Sequence, residues 1–133
     1  MAATASVRTG PEALDPRLRG RTYAFPFEDV WQGTLRLVRG KLRGWSLEFA
    51  DDREGVVNAL VTSRVKWLQG VVEVRIQLDD DAWTRVDATA ATPGAFHDFG
   101  VNSRRLRHFF QRLDREAARE HHRRLPDPAG RRA

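Results

Sequence analysis

The sequence predicts an α+β two-layer sandwich: a four-stranded antiparallel sheet packed by an N-terminal and a long C-terminal helix, in the order α-β-β-β-β-α. Three observations predict it. Apolar residues recur at three-and-four spacing in two segments, as amphipathic helices require. Four segments between them alternate or run apolar between turn residues, as strands do. One-sided helices and one-sided strands bury their apolar faces against each other, which makes two layers. With 133 residues and 41% hydrophobic content, the chain has material for one core without help from metals or disulfides.

Residues 1–20, with Gly10, Pro11, Pro16 and Gly20 and few large apolar side chains, read as a flexible leader. A single domain is expected over 21–120. From Pro26 to Gly44, Val30, Trp31, Thr34, Leu35, Val38 and Leu42 take helical spacing, and Glu28 and Asp29 favour its first turn. Gly33 inside this helix costs about 1 kcal/mol against alanine, which suggests close packing there. WSLEF alternates with Trp45, Leu47 and Phe49 on one face, DDREG supplies a turn, and VVNALVT completes a hairpin. In VVEVRIQL, Val72, Val74, Ile76 and Leu78 face one way and Glu73, Arg75 and Gln77 the other. DDDA turns the chain into WTRVDATA, and ATPGAFHDFG is a loop. The last helix is predicted from Gly100 or Val101 to about Arg119, with Leu106, Phe109, Phe110, Leu113 and Ala117 on one face and Arg104, His108, Gln111, Arg112, Arg115 and Arg119 opposite. Residues 121–133 read as a basic, disordered tail.

Charge and composition exclude several classes. The chain has no cysteine, so disulfides, thiolate zinc sites and thiol nucleophiles are ruled out. No apolar run reaches the roughly 18 residues of a membrane helix, and the start lacks a signal-peptide core; a soluble, cytoplasmic protein is expected. The net charge of +5 divides into +1 over 1–20, −2 over 21–100 and +6 over 101–133. The basic excess therefore sits in the last helix and tail, where a solvated end is as common as a binding arm, and nucleic acid is not the expected partner. His121 and His122 are adjacent and His97 and His108 have no partner of known ligand spacing, so no metal is expected. No cofactor is expected either.

HDFGVNSRRLRHFF, residues 97–110, carries the letters of a kinase magnesium segment, but no glycine-rich phosphate loop, strand lysine or HRD loop precedes it. Physically it is a helix start, with Asp98 or Asn102 as cap and Gly100 allowing a tight approach. Asp98, Asn102, Arg105, Arg85 and Asp87 form the polar set able to converge, and they include no obvious nucleophile. Trp31 and Trp45 fall on core faces, whereas Trp67 and Trp83 lie near turns and suit a pocket rim or partner surface.

TRVDATAATPGAFHDFGVNSRRLRHFFQRL resembles the signature region of the bacterial and plastid family named domain of unknown function 1499. There a strand ending in TRV leads through an arginine-serine segment into a D-x-G-x-N-x-x-R-[IL] helix start. Thr84, Arg85 and Val86, then Asp98, Gly100, Asn102, Arg105 and Leu106, match it, as do YAFPFEDVW and KWLQGVVEVRI. The resemblance spans about residues 21–114. This chain departs where the family has its arginine-serine segment, carrying Asp87, Ala88, Thr89, Ala90, Ala91 and Thr92 instead. The family label implies the fold and the importance of residues 98–105, and no transferable activity. A looser similarity is to START-like helix-grip proteins, whose last helix closes an apolar cavity; this chain reads as two strands short of that pattern.

The expected function is that of a non-enzymatic domain binding a small amphipathic ligand or a protein partner. Arg85, Asp98, Asn102 and Arg105 then form a polar cluster, structural or binding, and Trp67 and Trp83 stand near the rim. The alternatives are an enzyme using Asp98 as acid or base with Arg85 and Arg105 orienting an anionic substrate, and a nucleic-acid binder using the basic last helix and tail.

Overall fold

The computed structural model describes residues 4–13, 15–64, 68–94 and 100–125. Its strands are β1 (Thr4–Arg8), β2 (Arg21–Tyr23), β3 (Trp45–Asp51), β4 (Val56–Val61), β5 (Gly70–Leu78) and β6 (Thr84–Pro93), and its helices α1 (Phe27–Arg36) and α2 (Val101–Arg124). All pairings are antiparallel, in the order β1-β6-β5-β4-β3, with β2 also on β6.

Among the described residues the sheet has six strands rather than the four expected, and the order is β-β-α-β-β-β-β-α. The two extra strands share one edge of β6: β1 takes Thr89–Pro93 and β2 takes Val86–Thr84. Between them Thr9 closes the ladder. Its N–H donates to the Ala88 carbonyl (2.8 Å), and its hydroxyl accepts from the Ala88 N–H (3.0 Å) and donates to Asp87 (2.9 Å). β1 lies inside the stretch expected to be a flexible leader. Such short segments carry little periodicity of their own; they are strands because β6 offers an unpaired edge.

The predicted central strands appear as β3 to β6, with one local difference. A bulge at Glu48 pairs Leu47 with Ala59 but Phe49 with Asn58. An extra residue reverses the side-chain alternation, so Trp45 is buried while Phe49 joins the other face, half exposed. The first helix is also shorter than predicted: after Arg36 the chain widens into a π-helical turn over Leu37–Lys41, and Gly44 (φ +85°) bends it into β3.

One face of the sheet packs the helices. Val57, Ala59, Val72, Val74, Ile76, Val86 and Ala90 meet Val30, Trp31, Leu35 and Val38 from the α1 side and Leu106, Phe109, Phe110, Leu113 and Ala117 from α2. The α2 side chains are wholly buried, and Phe109 stacks on Trp45 at 5.7 Å. Where the helices cross, a Cβ on Gly33 would lie 3.2 Å from the Ala117 nitrogen, so this glycine sets the interhelical approach. Among the described residues no helix is long and apolar enough to cross a membrane.

Candidate functional site

The start of α2 is tied to the sheet by the motif residues. Gly100, in the left-handed region (φ +77°), occupies the cap position. Asn102 lies in the first turn, fully buried, with its amide N–H₂ donating to the Thr92 hydroxyl (2.9 Å) and the Ala5 carbonyl (3.2 Å). Arg105 donates to the Asn102 amide oxygen at 3.4 Å and to the Leu68 carbonyl. The arginine passes over Gly70, where a Cβ would sit 2.5 Å from its Nη1 and 2.7 Å from the Ala91 carbonyl. One asparagine and one arginine thus bind α2 to β1, β6 and the entry of β5. Asp98 and Trp67 lie outside the described residues.

Arg85 belongs to a different network. On the face of β6 turned away from the helices it grips Asp87 through two N–H groups (3.0 and 2.9 Å) and donates to the Arg19 carbonyl (2.6 Å) and the Thr22 hydroxyl (3.4 Å). It fastens the loop that carries β1 into β2. Arg105 touches the opposite face at the level of Ala91, six residues along β6 from Arg85; at the rise of an extended strand that is about 20 Å. The two guanidinium groups do not converge. Trp83, half exposed, sits in the β5–β6 turn, where its N–H donates to Asp79 (2.9 Å).

Among the described residues no helix covers the sheet's outer face. Register places Leu60, Val71 and Ala91 in one row across β4, β5 and β6, and Phe49, Asn58, Glu73, Thr89 and Arg8 in the next. Two adjoining grooves, about 420 and 320 Å³, run along these rows and share Arg8, Glu73 and Thr89. The smaller one is lined by both rows, with Val71 and Ala91 facing Glu48, Asn58 and Glu73. Asn58 Oδ1 is buried in its wall and has no hydrogen-bond donor among the described residues. A buried acceptor without a donor costs about 1–3 kcal/mol, so it is a position where a donor is gained.

The α1–α2 interface holds three buried carboxylates not foreseen in the sequence. Asp29 lies 2.8 Å from His121 Nδ1 and 3.1 Å from Arg124; Glu116 meets Lys41 at 2.8 Å and Arg119 at 3.4 Å; Glu120 meets Arg123 at 2.6 Å and also Arg36. Glu116 and Glu120 follow Leu113 and Ala117 by three residues, which puts them on the apolar stripe; that spacing was the available signal. Beside them Tyr23 donates to Asp114 at 2.6 Å. Burial, reinforced by that carboxylate, holds the Tyr23 hydroxyl far above its ordinary pKa. Before β2, hydrogen bonds from Arg17 lower the pKa of the Asp15 carboxyl. Among the described residues no three histidines or carboxylates gather as metal ligands.

The model for the protein of unknown function DUF1499 matches residues 4–113. No curated protein matches. Among solved structures, the Staphylococcus aureus protein of unknown function SA2116 is similar at 11% identity and a TM-score of 0.39, covering 91% of this chain and 95% of that one. CalU16 from Micromonospora echinospora is similar at 15% identity and 0.41, with 91% and 95% covered. A conserved protein from Geobacillus kaustophilus follows at 14% and 0.35, with 90% and 96% covered. The chain belongs to the DUF1499 family.

Proposed function

We propose that this DUF1499 member is a small non-catalytic binding domain that takes an amphipathic small molecule on the outer face of its sheet. The observation that carries the reading is Asn58: a buried amide oxygen without a donor, in the wall of a groove lined on one side by Val71 and Ala91 and on the other by Glu48 and Glu73. An apolar wall beside a few placed polar groups is the usual composition of a ligand site, and about 320 Å³ is at the lower end of the usual volumes. A ligand with a hydrogen-bond donor at one end and an apolar body at the other fits both rows.

The space between the layers is taken by Phe109, Phe110, Leu106 and Leu113, which favours the outer face over the helix-grip type of interior cavity. Asn102 and Arg105 act in this reading as a structural clamp. An enzyme using Arg85 and Arg105 on one anionic substrate is disfavoured by their separation across the sheet.

Native mass spectrometry of protein purified gently from its source tests the proposal, alongside the same sample after denaturation and a Val71→Asp variant. Val71 is 38% exposed, so the variant places a charge in the groove without entering the core. The expected result is a small mass excess on the native protein that vanishes on denaturation and is absent from Val71→Asp. A clean apo mass, an excess retained by the variant, or an excess of protein size sinks the small-molecule reading.

A further inference from the structure

The chain's basic excess becomes a shaped surface on α2. At 100° per residue, Arg104, Arg112, Arg115, Arg119 and Arg123 fall within an arc of about 100° and extend along about 29 Å of helix. No acidic residue of α2 shares the arc: Asp114 is engaged with Tyr23 and Arg21, and Glu116 and Glu120 are buried. Arg104, Arg112 and Arg115 meet no carboxylate among the described residues. Arg119 and Arg123 are held from beneath by Glu116 and Glu120, which also grip Lys41 and Arg36. Each buried carboxylate cancels one of its two cations and orders both. The surface therefore stays positive while part of the ordering cost of binding is already met.

What surrounds the arc selects the partner. Among the described residues, the exposed large apolar side chains Phe49, Leu60, Val71, Leu78 and Trp83 belong to the strands and the β5–β6 turn, and only Leu125 lies at the end of α2. Without an apolar flank to insert, the helix is poorly suited to a lipid interface. The exposed rings on the arc are the small imidazoles of His108 and His122, and among the described residues no Phe, Tyr or Trp stands on it as a platform on which unpaired bases stack. A row of cations along one helix, ordered at its C-terminal end, suits the regular row of phosphates on a duplex. We infer that this arc binds the phosphate backbone of double-stranded nucleic acid, without reading its sequence.

The test is fluorescence anisotropy of the full chain with a labelled DNA duplex of mixed sequence, titrated at increasing salt. Five phosphate contacts give a slope of log K against log salt of about −4.5. Arg112→Ala with Arg115→Ala removes two cations that hold no carboxylate, and the slope then falls to about −2.7 with an unchanged melting curve. Arg53→Ala with Arg64→Ala removes the same charge from exposed positions in the β3–β4 turn and after β4, and is expected to leave the slope in place. Charges elsewhere on the chain contribute equally to all three proteins. Equal slopes in the two variants would show that net charge alone attracts the duplex and overturn the assignment. So would an unmoved slope in the helix variant, or binding to phosphatidylserine vesicles with none to the duplex.

Discussion

Replacing Asn102 by leucine, which keeps the volume and removes the amide, tests whether the family motif serves the fold. The amide N–H₂ supplies donors to the Thr92 hydroxyl and the Ala5 carbonyl, and its oxygen accepts from Arg105. Asn102 is fully buried, so little water reaches those groups once the amide is gone. Each buried group left without a partner costs about 1–3 kcal/mol. Two of them give about 2–6 kcal/mol, with some recovered if Thr92 turns its hydroxyl elsewhere. At roughly 3–5 °C per kcal/mol for a chain of this size, the melting temperature falls by about 10 °C. Urea unfolding gives the free energy, and hydrogen exchange gives the location: β1 loses its link to α2 at Ala5, so amides of residues 5–8 exchange faster than those of β5. Adding Thr92→Val removes a second member of the set, and the double variant is less destabilised than the two single losses summed. A loss below about 1 kcal/mol in Asn102→Leu, or additivity in the cycle, would refute the clamp and return the motif to a binding role.

Two further substitutions probe the helix layer. Gly33→Ala places a Cβ 3.2 Å from the Ala117 nitrogen, a tight contact offset by about 1 kcal/mol of helix propensity, so stability in urea stays within about 1 kcal/mol of the parent. Gly33→Val adds two methyl groups at the same crossing and costs about 3 kcal/mol or more; a neutral valine would mean that the helices do not approach as described. Tyr23 is the chain's single tyrosine, so tyrosinate absorbance reports it alone. Its folded pKa is raised above the ordinary 10.0, so its stabilisation is intact below pH 10 and declines as the pH rises past that value, because only the unfolded state then releases the proton. Tyr23→Phe is expected to flatten the alkaline decline in urea midpoint, and tyrosinate forming in the folded protein near pH 10 would contradict the burial.

The sequence was most legible where one periodicity governed a whole element. Val30, Trp31, Thr34, Leu35 and Val38 are buried as their spacing requires, and Leu106, Phe109, Phe110, Leu113 and Ala117 form the expected stripe. It was least legible where a residue's place depends on a distant segment. β1 and β2 are strands because β6 leaves an edge for them, and Phe49 changes face because Glu48 is an extra residue in a ladder whose register is visible only in the pair. The motif was readable as important, but not as divided. Arg85 and Arg105 are close in the signature and opposite in space, since an arginine one strand position from a core residue faces away from the helices while one on the helix faces toward them.

Charge was the property most altered by folding. The sequence counts four acids against ten basic residues in 101–133, and a linear reading treats Glu116 and Glu120 as interruptions of a basic run. Their spacing from Leu113 and Ala117 instead carries them inward, where a lone carboxylate is costly and a pair of cations compensates it. Arg36 and Lys41 are drawn from α1 and the π turn for that purpose, and Arg119 and Arg123 bend toward the same carboxylates. The acids that seemed to dilute the helix's charge are the ones that order its cations. It follows that substituting Glu116 or Glu120 by glutamine acts on two properties at once, helix packing and cation placement. Arg112 and Arg115, which meet no carboxylate among the described residues, separate them, because their removal lowers the surface charge without touching the α1–α2 interface.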